Sequence, residues 1–183
     1  GGPLMCGIIG CAGRGDETLD TLLHGLDKLD YRGYDSAGVA LSGATDSVDV
    51  VKREGKLDRL REALDGAAAD GDLPTGTVGM GHTRWSTHGP PSDANAHPHT
   101  DCTGDVAVVH NGIIENYQEL RDDLADRGHE FRSETDTEVV PHLLEELFAG
   151  PEFDRADPEP AVREAVSRLQ GSFAIVVAVA VVD

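Results

Sequence analysis

Basic residues are scarce in this 183-residue sequence, which has 15 Lys and Arg against 34 Asp and Glu and a formal net charge of -19 at pH 7. A surface with this charge repels phosphate backbones and anionic lipids. The composition therefore argues against nucleic acid and against a membrane surface as partners. We expect a solvated acidic shell, of the kind suited to a salt-rich cytoplasm in which screening weakens the repulsion between like charges.

Cysteine is also rare, and the three cysteines form no CxxC pair. An odd number at these spacings argues against a disulfide framework and favours a reducing, cytoplasmic location. No apolar run reaches the ~20 residues of a membrane-spanning helix. The sequence contains neither GxGxxG nor GK[ST], so it gives nucleotide binding no support.

The chain has the length of one ordinary domain. We interpret residues 1–5 as the remainder of an expression tag followed by the natural initiator Met5, and residues 6–183 as a single domain. The last apolar run, 172–182, is predicted to be a strand, and the printed chain has no following strand that could pair with its free edge. We therefore expect the domain to be incomplete at its C-terminus.

Hydrophobic periodicity predicts short strands mixed with amphipathic helices. The segment 66–76, rich in Ala, Gly and Asp, is predicted to be a surface loop. Because strands and helices come in runs, the pattern favours a layered α+β fold over strict βαβ alternation. Strands are expected at 8–12, 39–41, 48–52, 77–81, 105–110 and 172–182, and helices near 16–29, 57–64, 117–128, 139–147 and 158–169.

Cys6 is the most informative cysteine because of its position. A buried cysteine is usually a small core residue. If Met5 is removed, however, Cys6 carries a free α-amine that can act as a base beside its own thiol. His110, Asn111 and Gly112 follow a predicted strand and could supply oxyanion donors, although Asn-Gly is equally a hairpin signal.

Two other functions remain open. His82, His88, His97, His99 and Cys102 crowd one long loop, which raises a zinc-dependent hydrolase as the alternative, although their spacing matches no familiar zinc pattern. The chain could also be a catalytically silent acidic binding module.

Six further segments are informative when taken together: 5–10 (MCGIIG), 31–38 (YRGYDSAG), 82–89 (HTRWSTHG), 95–99 (NAHPH), 110–116 (HNGIIEN) and 133–138 (SETDTE). In this order they resemble the glutaminase domain, a type 2 glutamine amidotransferase, of the glutamine:fructose-6-phosphate aminotransferases (glucosamine-6-phosphate synthases). The resemblance covers the whole chain from Cys6 to about residue 182.

The resemblance implies the N-terminal-nucleophile hydrolase fold, a four-layer αββα sandwich of antiparallel sheets. It implies that Cys6 attacks the side-chain amide of L-glutamine and that Asn111 and Gly112 form the oxyanion hole. Arg84 is expected to hold the α-carboxylate of glutamine, since a guanidinium fits a planar carboxylate. Asp136 is expected to hold the α-ammonium group.

Further substrate-binding positions follow from the same resemblance. Trp85 is expected to form a gate between the pocket and an ammonia channel. The other expected contributors to the pocket are Arg32, Gly33, Thr87, His88 and His97.

The resemblance also implies a partner: a C-terminal sugar-phosphate isomerase domain of a longer, homodimeric, cytoplasmic chain that makes glucosamine 6-phosphate. We expect no cofactor and no metal. His129 and His142 match nothing functional and are expected to be surface or packing residues, and Cys11 and Cys102 to be structural. Because the Cys6 nitrogen is bonded to Met5 in the printed chain, we expect this fragment to be inactive until the leader is removed.

Overall fold

A computed structural model describes residues 6–13, 17–29, 34–43 and 46–181. Within these ranges, seven strands and five helices follow one another along the chain. The strands are β1 (Gly7–Ala12), β2 (Ser36–Gly43), β3 (Asp49–Glu54), β4 (Gly76–Arg84), β5 (His99–Thr100), β6 (Val106–Ile114) and β7 (Gly171–Val179). The helices are α1 (Thr18–Leu29), α2 (Leu57–Asp70), α3 (Tyr117–Asp126), α4 (Val139–Ala149) and α5 (Glu159–Ser167).

The strands form two antiparallel sheets. The first has the order β1-β4-β2-β3 and the second the order β5-β6-β7. Helices α1 and α2 pack on the outer face of the first sheet, and α3, α4 and α5 cover the outer face of the second. The molecule therefore has four layers, helices–sheet–sheet–helices, and the expected α+β sandwich is confirmed.

Small side chains separate the two sheets. Ala40, Ala107 and Ala178 lie in the buried cluster between them, together with Met80 and Val109. Because side chains alternate between the faces of a strand, the neighbouring Val39 and Val108 point instead into the outer cores beneath the helices. Strand β2 and most of β6 are thus buried on both faces, whereas the edge strands β3 and β7 are only partly buried.

One local expectation differs from the structure. The predicted loop 66–76 is wrong at its start, because α2 continues to Asp70, and Gly71 then ends it in the left-handed conformation (φ 84°). Three consecutive alanines extend the helix past Gly66 at little cost. In α4, Pro141 lies in the first turn, where its missing N–H breaks no helical hydrogen bond.

The register of the first sheet places the start of β1 beside the end of β4. Gly7 pairs with Thr83, and the Gly7 N–H donates to Thr83 Oγ1 at 3.1 Å. The residue before Gly7 and the residues after Thr83 therefore meet at one end of the sheet. In the part of the chain that the structure describes, no helix has the length and apolar character needed to cross a membrane.

Candidate active site

A cavity of about 430 Å³ lies at this end of the first sheet and beside the strands β6 and β7. It brings together eight of the eleven site residues predicted from the sequence. The eight are Cys6, Arg84, Thr87, His88, His97, Asn111, Gly112 and Asp136.

Of the other three predicted residues, Trp85 is not among those that line it. Trp85 is 42% exposed, so packing as a core anchor is ruled out, and its role as a gate stays a prediction. Arg32 and Gly33 lie outside the described residues. The cavity also has contributors that were not predicted, including Thr135, Thr137 and Phe173.

Cys6 is held at the cavity wall by backbone contacts. Its Sγ accepts the N–H of Trp85 at 3.1 Å, and its carbonyl accepts the Asn111 side-chain amide at 2.9 Å. Burial raises the pKa of the Cys6 thiol, although the Trp85 N–H and then the Arg84 guanidinium act to lower it. The thiol is therefore neutral near pH 7, and using it as a nucleophile requires a nearby base.

Asn111 connects the two sheets. Its Oδ1 accepts a hydrogen bond from His82 Nε2 at 2.8 Å, while its Nδ2 donates to the Cys6 carbonyl. The amide orientation is fixed by these two contacts, and an NH₂ group keeps a second N–H after donating the first. Asn111 lies within β6, not in a hairpin turn, so the local turn signal of Asn-Gly is overridden by pairing with β7.

Gly112 has a backbone conformation that other residues rarely adopt, with φ +118°. A Cβ atom at this position would lie 2.2 Å from the carbonyl oxygen of Ser172 on β7. Only glycine fits, and its backbone therefore faces the cavity without an intervening side chain.

Arg84 is almost completely buried and is positioned from several sides. Its NH1 donates to Ser86 Oγ at 3.1 Å, and its NH2 donates to the carbonyls of His88 and Gly89. Asp35 lies 3.7 Å from NH1, and its other oxygen accepts the Ser86 N–H at 2.6 Å. These bonds to described residues use three of the five guanidinium N–H groups, so a carboxylate in the cavity can still be recognised.

Asp136 presents a carboxylate to the same cavity and is 3% exposed. Its Oδ2 accepts the Ile114 N–H at 2.8 Å, and its Oδ1 lies 3.8 Å from His88 Nδ1. Among the described residues that line it, the cavity therefore has one fixed cation, Arg84, and one fixed anion, Asp136. This pairing suits a ligand that carries both a carboxylate and an ammonium group.

Four buried histidines surround this region. The His97 ring packs at a tilt of 57° against His82 (ring centroids 4.2 Å apart) and edge-to-face against His99 (4.7 Å). Burial lowers the pKa of His82 to about 4 and also lowers the pKa values of His97, His99 and His110. These rings are therefore neutral at pH 7 and act as hydrogen-bonding and packing groups.

Two further positioning residues were not predicted from the sequence, although one of them, Asp35, lies within the quoted segment 31–38. Asp35 holds Ser86 and Arg84, as described above. Lys52 donates to the carbonyls of Ala94, Ala96 and Pro98 at 3.2, 2.8 and 3.1 Å and so fixes the loop that carries His97. Burial lowers the pKa of Lys52 to about 8. Their partners are distant in sequence, so only the fold identifies them.

The rings of His82, His97 and His99 pack together, but the loop histidines of the zinc alternative do not place their nitrogens where they could share one cation. Among the described residues, the one group whose ligand atoms could share a cation consists of Cys102, His129, His142 and Glu145. Cys102 is thus separated from the four histidines with which it was grouped in the sequence.

Comparison with known proteins agrees with this geometry. The family model described as glutamine amidotransferase domain matches residues 82–180. The chain is 56% identical over 174 residues to the glutamine–fructose-6-phosphate aminotransferase (isomerizing) of Symbiobacterium thermophilum, covering 94% of this chain and 26% of that protein. It is 53% identical over 175 residues to a Thermus thermophilus protein of the same name, with coverages of 95% and 27%. The chain thus spans about a quarter of these relatives.

Solved structures share the fold at low sequence identity. The B. subtilis glutamine phosphoribosylpyrophosphate amidotransferase, complexed with ADP and GMP, superimposes with a TM-score of 0.73 at 23% identity, over 94% of this chain and 35% of its own. An allosteric regulatory enzyme of purine biosynthesis gives 0.74 at 24% identity, over 93% and 35%. The N-terminal-nucleophile hydrolase fold expected from the sequence is therefore confirmed.

Proposed function

The chain belongs to the glutamine amidotransferase domain family, and from this premise we propose that it hydrolyses L-glutamine to glutamate and ammonia through a thioester on Cys6. One observation supports the proposal above all others. The Asn111 amide, oriented by His82, donates to the carbonyl of Cys6 itself. A hydrogen-bond donor is therefore held beside the nucleophile, where an acyl-transfer reaction develops negative charge.

Substrate binding follows from the charges in the cavity. Arg84 binds the α-carboxylate of glutamine with its remaining N–H groups, and Asp136 binds the α-ammonium. His88, Thr87 and His97 complete the walls around the aliphatic part of the substrate. Glutamine held in this way points its side-chain amide towards Cys6 Sγ.

The reaction then has two steps. The α-amine of Cys6, once freed from Met5, takes the thiol proton while Sγ attacks the amide carbon. The oxyanion is stabilised by Asn111 Nδ2 and the Gly112 N–H, and it collapses as the proton passes to the leaving nitrogen. Ammonia departs and leaves a thioester. Water, deprotonated by the same amine, attacks the thioester carbon and releases glutamate with the thiol restored.

The wider role of the chain is also part of the proposal. We place residues 1–5 as a removable leader and residues 6–183 as a glutaminase domain. In a longer, cytoplasmic, homodimeric protein, ammonia would pass the Trp85 gate to a sugar-phosphate isomerase domain that converts fructose 6-phosphate to glucosamine 6-phosphate. The names of the relatives and the quarter of their length that this chain spans support this placement. Arg32 and Gly33 would contribute a loop beside the nucleophile.

Glutamate release tests the hydrolysis directly. A chain that begins at Cys6 should produce glutamate from glutamine, whereas the untrimmed chain and the trimmed Cys6→Ser variant should be slower by at least about a thousandfold. Trimmed Cys11→Ser is the matched control, since Cys11 lies on β1, the strand that directly follows Cys6, and does not line the cavity. Equal activity of Cys6→Ser and the trimmed parent would overturn the proposal.

A further inference from the structure

Four potential metal ligands meet on the side of the second sheet, among residues that do not line the active-site cavity. Cys102 lies in the connection between β5 and β6, His129 follows α3, and His142 and Glu145 lie three residues apart on α4. One ligand atom from each lies within 4.8 Å of every other. Three segments that are distant in sequence therefore converge on one point.

The separations match the edges of a coordination tetrahedron. Cys102 Sγ lies 3.7 Å from His129 Nδ1 and 3.6 Å from His142 Nδ1. Glu145 Oε2 lies 3.0 Å from His129 Nδ1 and 3.3 Å from His142 Nδ1. Bonds of about 2.3 Å to sulfur and about 2.0 Å to nitrogen or oxygen give tetrahedral edges of roughly 3.3–3.6 Å. Along these four edges, an ion would require shifts of only a few tenths of an ångström, and the remaining two separations are within 4.8 Å.

The far nitrogen of each ring faces a carboxylate. His129 Nε2 lies 2.9 Å from Glu146 Oε1, and His142 Nε2 lies 3.7 Å from Glu138 Oε1 without a hydrogen-bond partner. Metal-bound histidines commonly donate their other ring N–H to a carboxylate, which fixes the tautomer and leaves the near nitrogen free to bind. His129 follows this pattern, whereas at His142 the carboxylate of Glu138 faces the ring from beyond hydrogen-bond distance.

We propose that Cys102, His129, His142 and Glu145 form a structural zinc site. A thiolate and two imidazoles favour Zn²⁺ over the hard cations Mg²⁺ and Ca²⁺. Because the protein supplies all four ligands, the site is closed and has no position for a reacting water. It is therefore a different site from the catalytic zinc considered for the loop histidines, and only Cys102 is common to both.

The position of the site indicates its purpose. Helix α4 begins directly after the segment that supplies Asp136 and Thr137 to the cavity. An ion bound to His142 and Glu145 on this helix and to Cys102 on the β5–β6 connection would hold the helix against the second sheet. The metal would thereby stabilise one wall of the substrate pocket without entering the chemistry.

Metal content and cobalt spectra of the untrimmed 183-residue chain test the site. After incubation with Zn²⁺ and washing at high ionic strength, which removes ions held only by the acidic surface, we expect one zinc per chain. The Co²⁺-substituted chain should show a thiolate-to-cobalt charge-transfer band and the intense visible bands of tetrahedral cobalt. Zinc at about a hundredfold excess over its Kd should raise the melting temperature by roughly 5–10 °C.

Two variants assign the ligands. Cys102→Ser should abolish the thiolate band, and Glu145→Gln should weaken zinc binding by about tenfold or more, whereas Cys11→Ser should leave both unchanged. Circular dichroism checks that each variant is folded. The cobalt spectrum of the parent chain tests the site independently, even where a variant fails to fold. A parent spectrum without the thiolate band, or zinc binding that Cys102→Ser leaves intact, would overturn the proposal and leave these side chains as a hydrogen-bonded network around Glu145.

Discussion

His82 Nε2 and Asn111 Oδ1 lie 2.8 Å apart, and this hydrogen bond joins the first sheet to the second beside Cys6. The same ring nitrogen is 3.0 Å from the carbonyl of His110, so it faces two acceptors and must carry a proton. The low pKa of the buried His82 keeps its ring neutral. His82 is thus a neutral donor that sets which end of the Asn111 amide points towards Cys6.

Replacement of His82 should lower kcat in the trimmed chain. Without the His82 donor, the Asn111 amide can rotate, so we expect His82→Ala to reduce kcat by about tenfold to a hundredfold with little change in KM, a smaller effect than loss of an oxyanion donor itself. His82→Gln keeps a donor and should recover part of the rate. His24→Ala, on the exposed face of α1, is the control. An unchanged kcat in a folded His82→Ala chain would refute this positioning role.

Gly112→Ala should destabilise the fold. The new Cβ would lie 2.2 Å from the Ser172 carbonyl at φ +118°, so β6 and β7 must separate locally, at a cost of about 1–3 kcal/mol or more. Gly66→Ala is a matched control, since nothing lies within 4 Å of its Cβ position and the residue is within α2. That change should stabilise the chain by about 0.5–1 kcal/mol. Urea unfolding measures the change in stability of both variants relative to the parent. Equal unfolding midpoints for Gly112→Ala and Gly66→Ala would contradict the account.

The free energy of unfolding should fall on mild acidification. His82 has a pKa of about 4 when folded, against an ordinary value of 6.5, so the unfolded chain binds more protons between these limits. Stability is therefore complete above about pH 6.5 and decreases towards pH 4. From about pH 7 to about pH 5, His82 alone should account for about 2 kcal/mol.

Urea midpoints at the two pH values, measured in high salt to suppress changes in surface repulsion, test this effect. His82→Gln should reduce the pH-dependent loss, although the other buried histidines will still contribute. His24→Ala should leave the loss unchanged. If His82→Gln lost as much stability on acidification as the parent, the buried ring would not be the source.

Salt should stabilise this chain more than it stabilises an ordinary domain. With a net charge of -19, the folded state is opposed by its own repulsion, which salt screens. The urea midpoint should therefore rise between about 0.1 M and about 2 M KCl. The triple variant Asp65→Asn, Asp70→Asn and Asp72→Asn removes charge at the C-terminal end of α2 and should weaken the salt dependence. A urea midpoint in dilute buffer equal to the midpoint at high KCl concentration would contradict the acidic-shell interpretation.

Elements with strong periodicity were predictable from the sequence. The leucines of α1 and α2 mark one buried face each, and the helices form where that pattern indicates. Asn111 and Gly112 could be identified by resemblance, but their local sequence was equally consistent with a hairpin turn. Pairing with β7 along the whole of β6 decides the outcome, and no local pattern reports such a long-range contact.

The residues that support the site were harder to predict from the sequence. Asp35 and Lys52 contact partners far along the chain, so neither has a neighbouring residue that signals its role. The cluster of Cys102, His129 and His142 was not predicted for the same reason. The fold, and not the spacing along the sequence, brings its members together. His142 and Glu145, one turn apart on α4, were the only local part of that pattern.

The most direct test of the central claim is the site of labelling by an electrophilic glutamine analogue. The chain that begins at Cys6 is exposed to the analogue, and adducts are mapped by mass spectrometry, with Cys11 and Cys102 as internal controls. We predict a single adduct on Cys6 that glutamine suppresses and that the untrimmed chain does not form, because only the free amine activates a thiol of raised pKa. Equal labelling of all three cysteines, or none in a chain shown to be folded, would contradict the account and favour a catalytically silent acidic module.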